Sequence, residues 1–312
     1  MTYPHNGEKM PQPTHFANNL NKMASFFERA GSKIFTFTDL KNIFEQNRNH
    51  WNLPMSMGPR KFLDMLLEET KMKDIDFQFP TFHVVRYFWS MKPNIYSITT
   101  TILKGAYFSH LSAMYLNGLL DYTPKDIYIN AEQIQRPPNL QKLTQNGIDK
   151  AFMSHPRITA NSATFEDYRI NILNGKQTGN LGVLISEIKG IGTISLTNIE
   201  RTLIDIAVRP VYSGGAYEVL KAYKASTGLA SIAKIVEYLE KINHVYPYHQ
   251  NIGFYLERSG FPEESVSMLH RIKREFTFYL DYRIENPKFS EKWNLFYPGS
   301  FDSIGRQTKS TD

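Results

Sequence analysis

The sequence predicts an α+β protein, with a small N-terminal helical domain followed by a larger mixed α/β domain that ends in helices. Three observations support this prediction. The chain has 312 residues, which corresponds to about two domains of ordinary size. Hydrophobic residues make up 41% and charged residues 21%, as in a globular protein. Apolar residues recur at helical spacing in three segments before residue 70, and alternation typical of strands follows.

Composition excludes several classes of protein. The chain has no cysteine, which excludes disulfides and thiolate chemistry and favours a reducing compartment. The N-terminus lacks the basic start and apolar run of a signal peptide. No stretch reaches the roughly 18 apolar residues of a membrane span. We therefore expect a cytoplasmic protein that makes no membrane contact.

The first part of the chain contains three helical patterns. Residues 1–15 carry three prolines and are expected to form a loose lead-in. A helix follows from about residue 18, then a short apolar stretch at 34–37 and a second helix. Pro59 fits the first position of a third helix, where its missing N–H costs nothing, and this helix is predicted to end near Glu69.

Two strand-like segments complete this part. Residues 74–79 alternate, and His83–Trp89 is rich in β-branched and aromatic residues. The predicted order is helix, short strand, helix, turn, helix and two-stranded ribbon. A winged helix-turn-helix has this order, and we predict that fold for residues 16–92. In that fold the second helix of the pair enters the DNA major groove.

Basic side chains lie where such a domain would contact double-stranded DNA. The helix N-terminus attracts phosphate through its dipole, and the ribbon forms the wing. The expected contacts come from the turn (Ser56, Met57), the helix start (Arg60, Lys61) and the wing (Lys71, Lys73, Arg86).

Bulk charge gives little support to this hypothesis. The net charge is +6, which permits nucleic-acid binding without requiring it. Residues 1–90 hold 11 Lys and Arg against 9 Asp and Glu, a net +2. A DNA footprint must therefore come from the placement of charges. The alternative is a small helical domain whose charged faces are simply solvated.

Residues 93–290 are predicted to form the mixed α/β domain, and 291–312 an irregular tail. Strands are expected at 95–101, 126–129, 165–173, 183–188 and 193–196, and helices at 109–119, 231–242, 249–259 and 263–282. Two more helices are expected, one that starts near Thr197 and is stopped by Pro210, and one that carries Tyr217, Leu220 and Tyr223. Thr197 and Glu200 fit a capping box, in which each side chain satisfies a backbone N–H at the helix start. Arg201 and Asp205 can pair one helical turn apart.

The usual catalytic signatures are absent. The sequence has no phosphate-binding loop, no H-E-x-x-H and no G-x-S-x-G, so we expect no catalytic residue, metal or cofactor. One alternative remains open. Glu187 and Lys189 fit half of a Mg²⁺-dependent nuclease site, with Asp167 as the upstream acid. There a carboxylate would hold the metal and the lysine would polarise the attacking water.

Three sequence segments carry information that composition and periodicity do not give. They are KGAYFSHLSAMYLNGL at 104–119, LTQNGIDKAF at 143–152, and LTNIERTLID at 196–205 followed by Arg209-Pro210 and Ser213-Gly214-Gly215. Together they resemble the AbiEi family, the antitoxins of bacterial abortive-infection toxin–antitoxin pairs. The resemblance covers roughly residues 95–260.

The resemblance implies a function. Proteins of this family bind inverted repeats in their own promoter through the winged helix and repress the operon. An inverted repeat implies two protomers per site. Their second domain supports cooperative DNA binding and counteracts a nucleotidyltransferase toxin. The motif residues carried over are Ser109, His110, Glu200, Arg201, Asp205, Arg209, Gly214 and Gly215. The same residues also fit a structural role, in which charges pair and glycines turn the chain.

The leading hypothesis is therefore an antitoxin and transcriptional autorepressor that is not an enzyme. The nuclease is the competing hypothesis. A third is a protein module that binds the toxin and no longer binds DNA.

Overall fold

The computed structural model describes residues 15–30, 33–134 and 142–304. The expected lead-in, apart from its last residue, and the end of the expected tail lie outside these ranges. The chain forms two compact units, one made of the residues up to Gln78 with Phe82–Ile98, the other of Phe79–Thr81 with Thr99 onward. None of the described helices combines the length and apolar character needed to cross a bilayer.

The first unit combines three helices with a small antiparallel sheet. In chain order its elements are α1 (His15–Arg29), β1 (Ile34–Phe35), α2 (Phe37–Asn47), α3 (Pro59–Glu69), β2 (Met72–Gln78) and β3 (His83–Trp89). The strands lie in the order β1-β3-β2. Both pairings are antiparallel. The predicted order of elements in this unit is confirmed.

Aromatic rings fill the core of this unit. Trp51 stacks on Phe62 at 5.8 Å and meets the edge of Phe26 at 5.5 Å. Phe27 stacks on Trp89 at 5.2 Å, which joins α1 to β3. Such pairs stabilise a core by about 0.5–1.5 kcal/mol each beyond the area they bury. They orient α3 with one face against the core and the opposite face in solvent.

The second unit is built on a six-stranded sheet. Its strands are β4 (Tyr107–Phe108), β5 (Asp126–Asn130), β6 (Ser162–Phe165), β7 (Tyr168–Leu173), β8 (Val183–Ile188) and β9 (Gly192–Thr197). They lie in the order β6-β7-β5-β4-β9-β8. The β5–β7 and β4–β9 pairs are parallel and the other pairs are antiparallel. The structure is therefore of mixed α and β type, in agreement with the predicted class.

Helices complete this unit. They are α5 (His110–Leu116), α6 (Gln145–Met153), α7 (Ile199–Val208), a 3-10 turn (Pro210–Tyr212), α8 (Ala216–Ala225), α9 (Ile232–Ile242), α10 (His249–Arg258) and α11 (Glu263–His270). A three-stranded sheet follows, in the order β10 (Phe278–Tyr279), β12 (Leu295–Pro298), β11 (Pro287–Ser290), and α12 (Phe301–Ile304) ends the described chain. One hydrophobic core unites the helices with this small sheet.

The boundary between the units differs from the prediction. Residues 95–101 were expected to form a strand, but Ile95–Thr99 is a helix, α4. The Asn94 side chain accepts a hydrogen bond from the Tyr96 N–H at 2.9 Å and so caps its first turn. The first unit consequently runs to Ile98 rather than to residue 92.

The C-terminal part also differs. The helix expected at 263–282 ends at His270, because the aromatic and β-branched run at 276–279 favours a strand and forms β10. The expected irregular tail is wrong for residues 291–304, which contain β12 and α12. Trp293, Leu295 and Phe301 are fully buried there, so this segment belongs to the core.

Gly253 should not tolerate a side chain. A Cβ at this position of α10 would lie 2.1 Å from the Trp293 ring. The Trp293 indole N–H donates to Glu257, and its carbonyl accepts from the Gln250 amide at 2.8 Å, so the ring is held in place. We expect Gly253→Ala to lower the free energy of unfolding by about 2 kcal/mol, because overpacking outweighs the gain in helix propensity.

Urea unfolding followed by circular dichroism measures this effect. Gly147→Ala in α6 is the matched control, since its Cβ would meet only the Thr144 hydroxyl at 3.1 Å. We expect a change below about 1 kcal/mol there. Equal stability of the two variants would contradict the close packing of Trp293 on α10.

Candidate functional site

The second unit contains a cavity of about 600 Å³, a volume typical of small-molecule sites. Its walls come from α7, the 3-10 turn, the start of α5 and the segments that follow β5, β7 and α9. The polar and charged residues that line it are His110, Asn130, Gln133, Arg157, Thr159, Asn174, Lys176, Thr178, Arg201, Asp205, Arg209 and His244, and the larger apolar and aromatic ones are Ile158, Leu173, Val208, Tyr212, Ile242, Val245, Tyr246 and Tyr248. Residues far apart in sequence thus meet at one place.

A buried ion pair forms one wall. The Arg201 Nε donates to the Asp205 carboxylate at 2.8 Å, which confirms the predicted pair. The Arg201 Nη1 also donates to the Thr178 hydroxyl at 3.0 Å and to the Leu181 carbonyl at 2.7 Å. Burial alone would lower the pKa of Arg201, but the Asp205 carboxylate outweighs it and leaves that pKa raised. The guanidinium therefore remains charged although it is buried.

Glu132 holds the loop that Arg201 contacts. Its carboxylate accepts the backbone N–H groups of Thr178 (2.8 Å), Gly179 (2.9 Å) and Asn180 (3.2 Å), together with the Thr178 hydroxyl. Burial raises the pKa of Glu132, and the hydrogen bonds from Thr178 and Asn180 lower it below its usual value. The sequence analysis missed Glu132, since no motif marks an acid whose partners lie some 46 residues away.

His110 lies in a restrained position at the start of α5. Its φ of 50° is in the left-handed region, which non-glycine residues adopt only when their surroundings fix them. Its Nδ1 lies 2.9 Å from the Oγ of Ser109, the fully buried N-cap of the helix. Burial lowers the pKa of His110 to about 4, so its imidazole is neutral near pH 7.

His244 lines the same cavity from the segment after α9. Asn243, the C-cap of α9, has a φ of 48°, the left-handed conformation that often ends helices, and it directs the chain to His244. Burial lowers the pKa of His244 to about 4, and Lys176 and Arg201 lower it further against the effect of Asp205. Its Nε2 is buried and has no hydrogen-bond partner among the described residues.

Basic side chains dominate the lining. Lys176 donates through Nζ to the carbonyls of Ile242 (2.6 Å) and Asn243 (2.7 Å) at the end of α9, and burial lowers its pKa. Arg209 donates through Nη1 to the Tyr282 hydroxyl at 3.1 Å. Arg157 is exposed. The cavity thus brings four cationic side chains together with one carboxylate, that of Asp205.

The remaining motif residues do not line the cavity. Glu200 accepts the Ser231 N–H at 3.1 Å and pairs with Lys234 at 3.5 Å, which joins α7 to α9. The expected capping box is wrong: Thr197 ends β9, and the Asn198 side chain caps α7 by accepting the Arg201 N–H at 2.9 Å.

The two motif glycines serve the turn before α8. Gly214 and Gly215 have φ of 80° and 90°, which glycine adopts without strain. A Cβ on Gly214 would also lie 2.8 Å from Cγ of Glu218. The Gly215 N–H donates to the Pro210 carbonyl at 2.8 Å. The carried-over motif is therefore divided between the cavity wall and structural supports.

The first unit exposes most of the side chains expected to contact DNA. Ser56, Arg60, Lys61, Lys71 and Lys73 are all exposed. The Arg60 guanidinium lies over the Phe37 ring, 5.0 Å from its centroid, which restrains the side chain on the surface of α3. Lys71 pairs with Glu28 at 3.3 Å in an exposed contact, which stabilises little.

Two of the expected contacts are placed differently. Met57 is buried in the core of the first unit, because its apolar side chain packs there, and it is not available to DNA. The Arg48 Nη2 donates to the carbonyls of Met57 (3.0 Å) and Pro54 (2.7 Å) and so holds the turn before α3. Arg86 is half-buried and donates to the Val85 carbonyl at 2.8 Å, so its guanidinium is partly engaged within the fold.

The residues of the alternative nuclease site do not come together. Glu187 is exposed on β8 and accepts the Thr193 hydroxyl at 2.5 Å. Lys189 is exposed in the turn after β8. Asp167 lies between β6 and β7 and pairs with Lys125 at 3.4 Å. Four strand spacings separate β7 from β8, roughly 19 Å, too far for Asp167 and Glu187 to share a metal ion. Among the described residues, no three His, Asp or Glu side chains are grouped as metal ligands.

Comparisons with known proteins show a likeness of fold. No family model matches the sequence, and no curated protein matches it. Among solved structures, the chain is similar to the crystal structure of the RV2827C protein from Mycobacterium tuberculosis, with a TM-score of 0.62 and 13% identity. The match covers 93% of this chain and 95% of that chain. At this identity the likeness shows a shared fold alone.

The buried histidines should make stability depend on pH. In the unfolded chain a histidine takes up a proton below about pH 6.5, whereas native His110 stays neutral until about pH 4. The unfolded state therefore binds more protons in this window, and the free energy of unfolding falls as the pH falls from 6.5 to 4. We expect His110→Asn, which tolerates a positive φ, to reduce this fall by up to about 3 kcal/mol.

Urea unfolding at a series of pH values tests this prediction. His50→Asn, at an exposed position, is the control and should leave the pH dependence unchanged. An identical pH dependence for wild type and His110→Asn would show that the His110 imidazole is not held neutral by burial.

Proposed function

We propose that the protein is a DNA-binding transcription regulator whose first unit is a winged helix. The observation that carries this proposal is the arrangement of α3. It buries Phe62, Leu63 and Leu66 and exposes Arg60 and Lys61 in its first turn. A helix that follows a turn after another helix, and presents basic residues at its exposed N-terminus, is suited to enter the major groove.

The charge along α3 supports one direction of approach. Arg60 and Lys61 lie in its first turn, while the exposed carboxylates of Asp64, Glu68 and Glu69 follow toward its end. Phosphates attract the first turn and repel the last, and the helix dipole acts in the same sense. The N-terminal end of α3 is therefore the end that would face DNA.

The β2–β3 hairpin is the proposed wing. It is paired over seven residues of each strand, from Met72 opposite Trp89 to Gln78 opposite His83. Lys73 is exposed on β2, where it can reach a phosphate. Phosphate contacts position a protein on DNA without reading sequence. Arg60, with its forked guanidinium, is the residue suited to read a guanine edge.

The antitoxin role is a further step of the proposal and rests on the sequence resemblance to AbiEi proteins. In this proposal the regulator acts in the cytoplasm and binds inverted repeats in its own promoter, with one protomer on each repeat. The second unit would counteract a nucleotidyltransferase toxin, directly or indirectly.

Substitutions of Arg60 and Lys73 should act differently on DNA binding. Arg60→Lys keeps the charge and loses the bidentate geometry, so we expect selectivity for promoter DNA over random DNA to fall by about 1–3 kcal/mol. Lys73→Ala should weaken binding to both DNAs alike and reduce the salt slope by about one. Gel-shift titrations against DNA upstream of the gene, at two salt concentrations, measure both effects.

Lys22→Ala provides the matched control, because Lys22 is exposed on α1 outside the proposed contact surface. It should leave affinity and selectivity unchanged. Full selectivity of Arg60→Lys would show that α3 does not read bases. If the wild type fails to distinguish promoter from random DNA, the proposal of sequence-specific binding is wrong.

The antitoxin role has a separate test. We expect co-expression of this chain to restore growth of cells that produce the product of the adjacent gene. Purification through a tag on this chain then separates direct from indirect action, because only direct contact brings the toxin along. No rescue of growth would contradict the antitoxin role and leave DNA binding to be judged by the titrations.

A further inference from the structure

We propose that the cavity of the second unit binds a small molecule that carries a phosphate group on an aromatic or apolar body. This inference goes beyond the proposed DNA-binding function and concerns residues of the second unit alone. It rests on the charge of the lining, on an unsatisfied buried imidazole and on exposed apolar side chains at the same place.

The charge of the lining favours an anion with two charges. Arg157, Lys176, Arg201 and Arg209 are cationic, and the one carboxylate among the lining residues is that of Asp205. Four positive charges and one negative charge leave a formal +3. Asp205 already pairs with Arg201, so the other three cations have no carboxylate within the lining. Low-dielectric walls strengthen the field of such a concave site, and a phosphate monoester matches it.

The His244 imidazole offers a hydrogen-bonding position for the ligand. Its Nε2 is buried and, within the described chain, unpartnered, and the residue is one of those that line the cavity. A buried polar atom left without a partner costs about 1–3 kcal/mol. A rotation of the ring toward the cavity would let a ligand oxygen reach Nε2 and would remove that cost. Since the pKa of His244 is about 4, the ring is neutral at pH 7 and can donate one hydrogen bond.

The rest of the ligand would contact apolar and aromatic side chains. Ile158 and Val245 line the cavity although 68% and 66% of their surfaces are exposed. The rings of Tyr212 and Tyr246 line it as well. Exposed apolar side chains next to a group of cations are typical of sites that hold an amphipathic ligand. A nucleoside monophosphate, which joins a planar ring to a phosphate, is a suitable probe.

Arg157 is the cation best suited to test the site. Arg201 and Arg209 hold the fold together through Asp205 and Tyr282, and Lys176 holds the end of α9, so their replacement would disturb structure. The Arg157 side chain is exposed, and no hydrogen bond or ion pair of its guanidinium is found within the described chain. Its loss should therefore affect binding without affecting stability.

The experiment is isothermal titration calorimetry of the full chain, without DNA, against each of the four ribonucleoside monophosphates. Inorganic phosphate and the corresponding nucleosides are titrated separately. We expect at least one monophosphate to bind with a stoichiometry of one, and at least tenfold more tightly than phosphate or its nucleoside. Arg157→Gln should weaken that binding at least fivefold. Arg271→Gln is the matched control at another exposed arginine, and it should change affinity less than twofold.

Three results would overturn the inference. The first is no saturable binding of any monophosphate at millimolar concentration. The second is equal affinity for inorganic phosphate and for the nucleotide, which would leave the aromatic part without a role. The third is equal weakening by Arg157→Gln and Arg271→Gln, which would mean that net charge rather than the cavity attracts the ligand. None of these results depends on DNA binding by the first unit, which the gel-shift titrations judge separately.

Discussion

The buried ion pair of Arg201 and Asp205 is the interaction on which the second unit depends. Arg201 is 5% exposed, so its charge needs a partner, and Asp205, one turn further along α7, supplies it. Removing one member of such a pair leaves an uncompensated buried charge, which costs about 3–5 kcal/mol. The remaining donors of Arg201 then determine where the Thr178–Leu181 loop must lie. The pair therefore fixes the position of a loop as well as of a helix.

Glu132 extends this constraint across the sheet. It follows β5 and accepts the N–H groups of Thr178 and Gly179 in the same loop. The loop also continues from Lys176, whose ammonium group binds the carbonyls at the end of α9. These contacts hold α7, the loop and the end of α9 at fixed positions around the cavity.

Local signals explain which parts of this structure the sequence could predict. Pro59 marks the start of α3, and the alternation in His83–Trp89 marks a strand, because each depends on neighbours within a few residues. The prediction was wrong at residues 95–99 and after His270. At 95–99 the outcome depends on a single cap, that of Asn94. After His270 it depends on the pairing of the run at 276–279 with the distant β12 and on burial of Trp293 against Gly253.

The cavity was harder to predict than the fold. The motif strings contained His110, Arg201, Asp205 and Arg209, but nothing in their spacing indicated that they line one cavity. His244 and His249 are five residues apart, a spacing that does not suit a pair on one helix face, so no local pattern marks His244. In the structure the charges of Lys176 and Arg201 act on the pKa of His244, and both residues lie far from it in sequence.

The placement of charge matters more than its sum in both units. A net charge of +6 over 312 residues gives a weak field at long range, and salt screens it within about 8–10 Å. In α3 the charges are ordered along one helix, with Arg60 and Lys61 in the first turn and the carboxylates toward the end, so a polyanion would be attracted to the first turn. In the cavity the buried Arg201 and the half-buried Arg209 lie beside the exposed Arg157 and Lys176, so screening by salt is weaker only at the buried part of the site. The placement of the cations, rather than the net charge, would therefore attract an anion. The first unit would select the phosphate backbone of DNA, and the second unit a single phosphate group.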